Sequence, residues 1–479
     1  MIIDGFAYPK LLNFFEEISA IPRASYKEEK IADYLCGFAK DRGLEYYRDS
    51  ANNVLINAPA TKGYEKTPAW LLQGHTDMVC EKNEGVEHDF DTQGVEIYEE
   101  NGWIRAKNTT LGADDGVAVA VMLCVLDGGV EEHGPLQCLF TASEEVGLDG
   151  VKAFDYGKIY ARRMINMDGS DESVIIAGCA GGLRSSLRLD VNKKRTVAKR
   201  VVSLRIKGLC GGHSGEDIDK GRANANKLMG RVLNSVYDGG TELVSVCGGS
   251  KGNAIPRECE AILAVNEINS LRSRIEQLKR DLSDGMSADD EKFALDVSVI
   301  SENSEVNVID RADAEKIIFI LNTVANGIFA MNNDVEGLVE WSRNLGVLRC
   351  DADGAELVFS SRSSFETRID ASAFELDCYA RQLGAKIRHY NRYPGWSYAP
   401  ESNAREAYIE AYESLCGKRP NVAVIHAGLE CGFISQAVPD MDIISCGAIV
   451  LDLHSPDEKL NVKSFERFYS VIKMIMERR

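Results

Sequence analysis

Over the first forty positions apolar residues recur every three or four places: Leu11, Leu12, Phe15 and Ile18, then Ile31, Ala32, Tyr34 and Leu35. That spacing predicts two amphipathic helices. Pro9 or Lys10 opens the first, since proline is tolerated in a first turn. A Ser25-x-x-Glu28 capping box is expected to open the second. The pattern then shortens to apolar runs of strand length, VLINAP and WLLQG. A helix follows, with Val117, Ala118, Val121, Met122 and Val125 inward, and two more strands lie in PLQCLFT and RRMIN. Strands alternating with helices predict an α/β fold whose mostly parallel sheet carries helices on both faces.

From about Leu183 the style changes. VVSLRIKG is a strand, a glycine turn carries His213, a helix follows, and ELVSVCGGSKGNAIPRECEAILAV holds two strands. Residues 269 to 291 are charged and helical, with Leu271, Ile275, Leu278 and Leu282 on one face. The order strand, helix, strand, strand then recurs through KFALDVSVI, DAEKIIFILNTVANGIF, VEWSRNLGVLRCD and ELVFSSRSS, before a helix in FELDCYARQLGAK. This repetition suggests an internal duplication, although two unrelated α+β segments fit the sequence equally well. The first style returns at about Tyr398 and ends in the amphipathic helix VKSFERFYSVIKMIMERR. Residues 1–183 and 399–479 are therefore expected to form one domain, and residues 184–398 an inserted α+β lid domain.

Composition narrows the function classes. The chain has 479 residues, 44% of them hydrophobic, which is enough for a large core split between domains. With 55 Lys+Arg against 74 Asp+Glu, its formal charge of -19 argues against nucleic acid or an anionic membrane as partner. The 13 cysteines include no Cys-x-x-Cys pair and lie in apolar segments such as MLCVL and LQCLF. They read as buried free thiols in a reducing cytoplasm. No signal peptide is expected, as MIIDGFAYPK has no basic region followed by an apolar one, and no membrane span, as no run of 18 apolar residues occurs.

The chemistry gathers at strand ends. His75 and Asp77 follow WLLQG and, two residues apart on extended backbone, face one point. Alone they would read as surface polarity. Asp114 and Asp115 open a helix, where its dipole favours negative charge, and alone would read as a cap. Glu144 and Glu145 follow the strand in PLQCLFT, Asp168 follows RRMIN, and His454 follows DIISCGAIV. Ligand sites of open parallel sheets lie at the carboxyl ends of the strands, so these groups are expected to converge on one crevice. Imidazoles and carboxylates suit Zn²⁺, Mn²⁺ or Co²⁺, and one carboxylate can bridge two ions. Of the adjacent Glu144 and Glu145, one can bind metal while the other accepts a proton from a metal-bridged water.

The motifs GHTDMV, TTLGADDGVAVA, ASEEVG, NMDGSDE, GGHSGEDI, GGSKGNAIPRE, HAGLECG and HSPDEK resemble the co-catalytic zinc peptidases that include aminoacylase and carboxypeptidase G. Within that family they are most similar to the aminoacyl-histidine, or cytosol non-specific, dipeptidases. The resemblance runs in order from about residue 10 to the last residues. It implies His75, Asp114 and Asp168 around one metal, and Asp114, Glu145 and His454 around the other. Asp77 would orient His75, Glu144 would be the general base, and His213 would stabilise the oxyanion. Asn253, Arg362 and Gly428 would shape the substrate site, with Arg362 taking the C-terminal carboxylate, and the Asp114–Asp115 peptide would be cis. The implied activity is hydrolysis of unblocked dipeptides, Xaa-His included, in the cytoplasm, by a monomer or homodimer holding two divalent ions, zinc before manganese or cobalt.

Other readings compete. An N-acyl-amino-acid amidohydrolase would keep every ligand and differ in the lid. A non-catalytic metal-binding assembly protein would have no use for Glu144. His426 and Cys431 read as structural supports, His88, His133 and His389 as surface residues, and the glycine clusters GCAGGL and VCGGSKG as turns, since neither has phosphate-loop spacing.

Overall fold

The computed structural model describes residues 5–333, 335–351 and 354–478. The chain divides into two compact units: Met1–Cys179 with Trp396–Val424 and Leu429–Arg479, and Ala180–Gly395 with Ile425–Gly428.

The first unit is built on an eight-stranded sheet. At its centre four strands run parallel, in the order Leu136–Thr141, Trp70–His75, Arg163–Asn166 and Asp442–Ser445. Antiparallel strands flank them, Val54–Ala58 on one side and Val174–Cys179 on the other. Successive side chains of a strand alternate between the faces of a sheet. Trp70 and Leu72 accordingly join Phe140 and Ile165 in the main core, under the helices Pro9–Ser19, Glu29–Asp41, Ala113–Cys124, Asn403–Cys416 and Val462–Met476. Leu11, Phe15 and Ile18 of the first helix and Ile31 and Leu35 of the second are buried there, as their spacing predicts. Gln73 and His75 point to the other face. There the Gln73 amide donates to Glu430, which opens the short helix Cys431–Ala437.

One local expectation fails. Glu28 stands at the start of the second helix, but no side chain caps that end. Ser25 Oγ donates instead to Asp77, and Glu28 accepts from the Ser143 backbone N–H and hydroxyl. Both members of the expected capping box are drawn away to brace strand ends.

The second unit is a nine-stranded antiparallel sheet with the helices Ala225–Val236, Ile268–Ser283, Arg311–Thr323 and Glu366–Leu383. Its edge strand Ala294–Ile309 and that strand's neighbour Lys193–Lys207 are far longer than their apolar stretches, because the outer halves carry alternating charged residues. The repeated order of elements is present, but the pairing is not repeated. The first strands of the two sets lie side by side, while the last two of each set are separate neighbours further along the sheet. All thirteen cysteines are free, with Cys210 and Cys247 exposed. Among the described residues no helix is long and apolar enough to cross a membrane.

Candidate metal centre

Parallel pairing brings the strand ends of the first unit level. His75 is paired with Thr141, and Gln73 with Asn166, so the residues that follow each strand emerge at one edge. His75 Nε2 lies 2.9 Å from Asp114 Oδ1 and 3.7 Å from Asp168 Oδ1. The other oxygen of Asp114 lies 3.1 Å from His454 Nε2, which is in turn 3.1 Å from Glu145 Oε1. One carboxylate thus faces both imidazoles. His454 adopts a left-handed backbone, φ 60°, a conformation uncommon outside glycine and one that tends to mark functional positions.

Asp114 and Asp115 depart from helical geometry at the start of Ala113–Cys124, and the peptide bond between them is cis. Their side chains have separate partners: Asp115 accepts from the backbone N–H groups of His75 and Ala118. Asp115 also comes within 4.8 Å of His75 and Asp168, ligand atom to ligand atom, a proximity the sequence reading did not include. The same limit holds for His75, Asp114 and Glu145.

Asp77 is fully buried behind His75. Its carboxylate lies 3.4 Å from His75 Nδ1, accepts from Ser25 Oγ, and takes the backbone N–H groups of Glu144 and Glu145 at 3.0 and 3.3 Å. One side chain therefore sets both the ring of His75 and the start of the acidic turn. Glu145 Oε1 is buried and, though close to His454, lacks a hydrogen bond. A buried carboxylate oxygen left open beside an imidazole and a second carboxylate fits a divalent-ion ligand. Glu144 is half-buried and makes no ion pair with either imidazole.

Electrostatics follow from this crowding. Burial opposes protonation of His75, but Asp114, Asp168 and Asp77 outweigh it and raise the imidazole well above its ordinary value. Asp114 and Glu145 push His454 up to about 10. Burial pushes Asp168 up to about 6 against the pull of His75, with Asp114 adding to the rise. Burial, reinforced by the charge of Asp168, raises Glu144 well above the carboxylate range.

The remaining candidates lie in the second unit. His213 and Asn253 are neighbours at a short two-stranded antiparallel ladder, where Ser214 N–H donates to Asn253 O and His213 pairs with Ala254. Arg362 Nη2 is 3.5 Å from His213 Nε2, and Nη1 donates to Tyr393 Oη at 2.9 Å. Arg362 is 6% exposed, its Nε has no partner, and among the described residues no carboxylate pairs with it. The ring of Tyr393 also closes on Gly428, where a Cβ would come within 2.6 Å of it. Tyr393 thus links two of the candidates and was missed in the sequence, where nothing separates it from other strand tyrosines. His426 is buried and hydrogen-bonded to Ser342. His88, His133 and His389 are partly exposed, and His389 bonds to Ser185 and Asp377.

Comparison with known proteins agrees across the chain. Residues 71–478 match Peptidase family M20/M25/M40. The cytosol non-specific dipeptidase of Escherichia coli K12 is 34% identical over 473 residues, which span 98% of this chain and 97% of that protein. The crystal structure of aminoacylhistidine dipeptidase from Vibrio alginolyticus superposes with a TM-score of 0.94 at 34% identity, covering 100% of this chain and 98% of that one. Aminopeptidase PepT from Bacillus cereus, at 16% identity and a TM-score of 0.57 over 98% of both chains, shares the fold.

Proposed function

The chain belongs to peptidase family M20/M25/M40, and from that premise we propose that it hydrolyses the peptide bond of unblocked dipeptides, Xaa-His among them. The observation that carries the reading is Asp114, one carboxylate facing His75 with one oxygen and His454 with the other. His75, Asp114 and Asp168 would hold one divalent ion, and Asp114, Glu145 and His454 a second. The bound ions, zinc before manganese or cobalt, would supply Lewis-acid chemistry, acidifying water to a pKa of about 7 and polarising the scissile carbonyl.

Glu144 has the position of a base: it shares the Asp77-braced turn with Glu145 yet is paired with neither imidazole. The cations bound beside it would offset the rise that burial and Asp168 impose, so its ionised carboxylate accepts the proton of the attacking water and returns it to the leaving amine. Asp77 keeps His75 in one orientation by facing Nδ1, which leaves Nε2 for coordination. His213 stabilises the oxyanion, and Asn253, Arg362 and Gly428 bind the substrate. Arg362 suits the C-terminal carboxylate because it is buried, unpaired with any described acid, and has an unused Nε–H for a two-point contact.

The cytoplasm is the compartment consistent with this chemistry and with the name of the Escherichia coli relative. The test is a hydrolysis screen of unblocked dipeptides, tripeptides and N-acetyl amino acids on protein stripped by a chelator and then resupplied with Zn²⁺, Mn²⁺ or Co²⁺. Turnover of dipeptides alone supports the reading, whereas a preference for N-acetyl substrates would replace it with an amidohydrolase.

A further inference from the structure

Four consecutive backbone N–H groups, of Leu111, Gly112, Ala113 and Asp114, converge on one carboxylate. Glu458 receives them at 2.8, 3.0, 2.8 and 3.3 Å. The first N–H groups of a helix lack acceptors within it, so Glu458 supplies from a distant segment what the start of Ala113–Cys124 cannot supply itself. Glu458 is 2% exposed, which keeps these contacts dry.

The carbonyl side of the same loop is held by Arg23, also 2% exposed. Its Nη2 donates to Gly112 O, while Nη1 donates to the carbonyls of Thr76 at 2.9 Å and Asp77 at 3.1 Å. This approach requires glycine: Gly112 has φ 69°, and a Cβ there would lie 2.4 Å from Arg23 Nη2. The hydrogen bonds described for Glu458 and Arg23 all go to backbone groups and none to a candidate metal-binding side chain. Both grip backbone, and the segments they join are the ones that carry the ligands. Arg23 ties the Asp114 loop to the strand end bearing His75. Glu458, four residues beyond His454, ties it to the loop bearing His454.

We infer that Glu458, braced by Arg23, is a positioning residue that sets the metal affinity of the centre by holding Asp114 between His75 and His454. The inference deepens the two-metal reading and rests on it. A helix cap alone would contribute stability and leave affinity untouched, so the two roles separate by experiment. Glu458→Gln keeps the volume and one acceptor oxygen but places an NH₂ among the four donors. Glu458→Asp keeps the charge and shortens the reach.

Metal-free protein of each variant is titrated with Co²⁺, followed by the visible absorption of the bound ion, beside thermal melting of the metal-free form. The expected result is a 10–100-fold weaker Co²⁺ affinity and an altered absorption band for Glu458→Gln. A fall in kcat with KM retained should accompany them. Glu458→Asp should move in the same direction by less, and decides the matter if the glutamine variant does not fold. Wild-type affinity and band in the folded variants, whatever their melting temperatures, would reduce Glu458 to a helix cap. A wild-type chain that takes up no Co²⁺ would overturn the metal reading and this inference with it.

Discussion

Replacing Arg362 by alanine removes a buried guanidinium whose present partners are Tyr393 Oη and the neighbouring His213 ring. No described carboxylate is stranded by its loss, so the variant reports on an incoming acid. If a dipeptide's C-terminal carboxylate takes two N–H groups of Arg362, each charge-assisted bond contributes about 1.5–3 kcal/mol, or about 3–6 kcal/mol together. At 1.36 kcal/mol per tenfold in rate, kcat/KM for free dipeptides should fall on the order of 10²–10⁴-fold. A dipeptide amide lacks the charge. It should be a poor substrate of the wild type for the same reason and lose little further. Steady-state kinetics on a dipeptide and its amide, with the melting temperature as a control for packing, measure the difference. Equal losses on both substrates at an unchanged melting temperature would refute carboxylate recognition by Arg362.

Glu144→Gln should retain both metals by elemental analysis yet lose 10²–10⁴-fold in kcat, the range of a positioned acid–base group; metal loss would make Glu144 a ligand instead. His426 is held neutral, its pKa pushed down to about 3 by burial and then by the nearby Arg362 guanidinium, with the His213 ring a smaller contributor. Below its ordinary value of about 6.5 the unfolded chain binds a proton that the folded chain refuses, so this residue costs stability increasingly as pH falls from about 6.5 toward 3. His426→Gln should therefore narrow its melting-temperature deficit, or turn it into a gain, between pH 7 and pH 4. Parallel melting curves across that range would show that His426 titrates normally.

The sequence announced the elements of the first unit well because both signals it uses are local. Helical spacing buried Leu11, Phe15 and Ile18, and apolar runs ending in Asp or His marked parallel strands whose ends coincide. Ser25 and Glu28 misled because a capping box and a pair of long-range braces look identical in one dimension; only the proximity of Asp77 and Ser143 decides between them. Glu458 and Arg23 were invisible for a related reason. Their contacts are with backbone groups of residues far along the chain, and backbone partners leave no residue-type signature. In the second unit the long strands outran their apolar stretches, since edge positions facing water carry charge without ceasing to pair.

The central claim is that Asp114 joins two divalent ions in one catalytic centre. Metal content and activity measured together, on protein stripped with a chelator and reconstituted stepwise with Zn²⁺, test it most directly. Activity that is absent in the stripped chain and complete only as the content reaches two ions per chain is the predicted result. Full activity at no more than one ion per chain would contradict it.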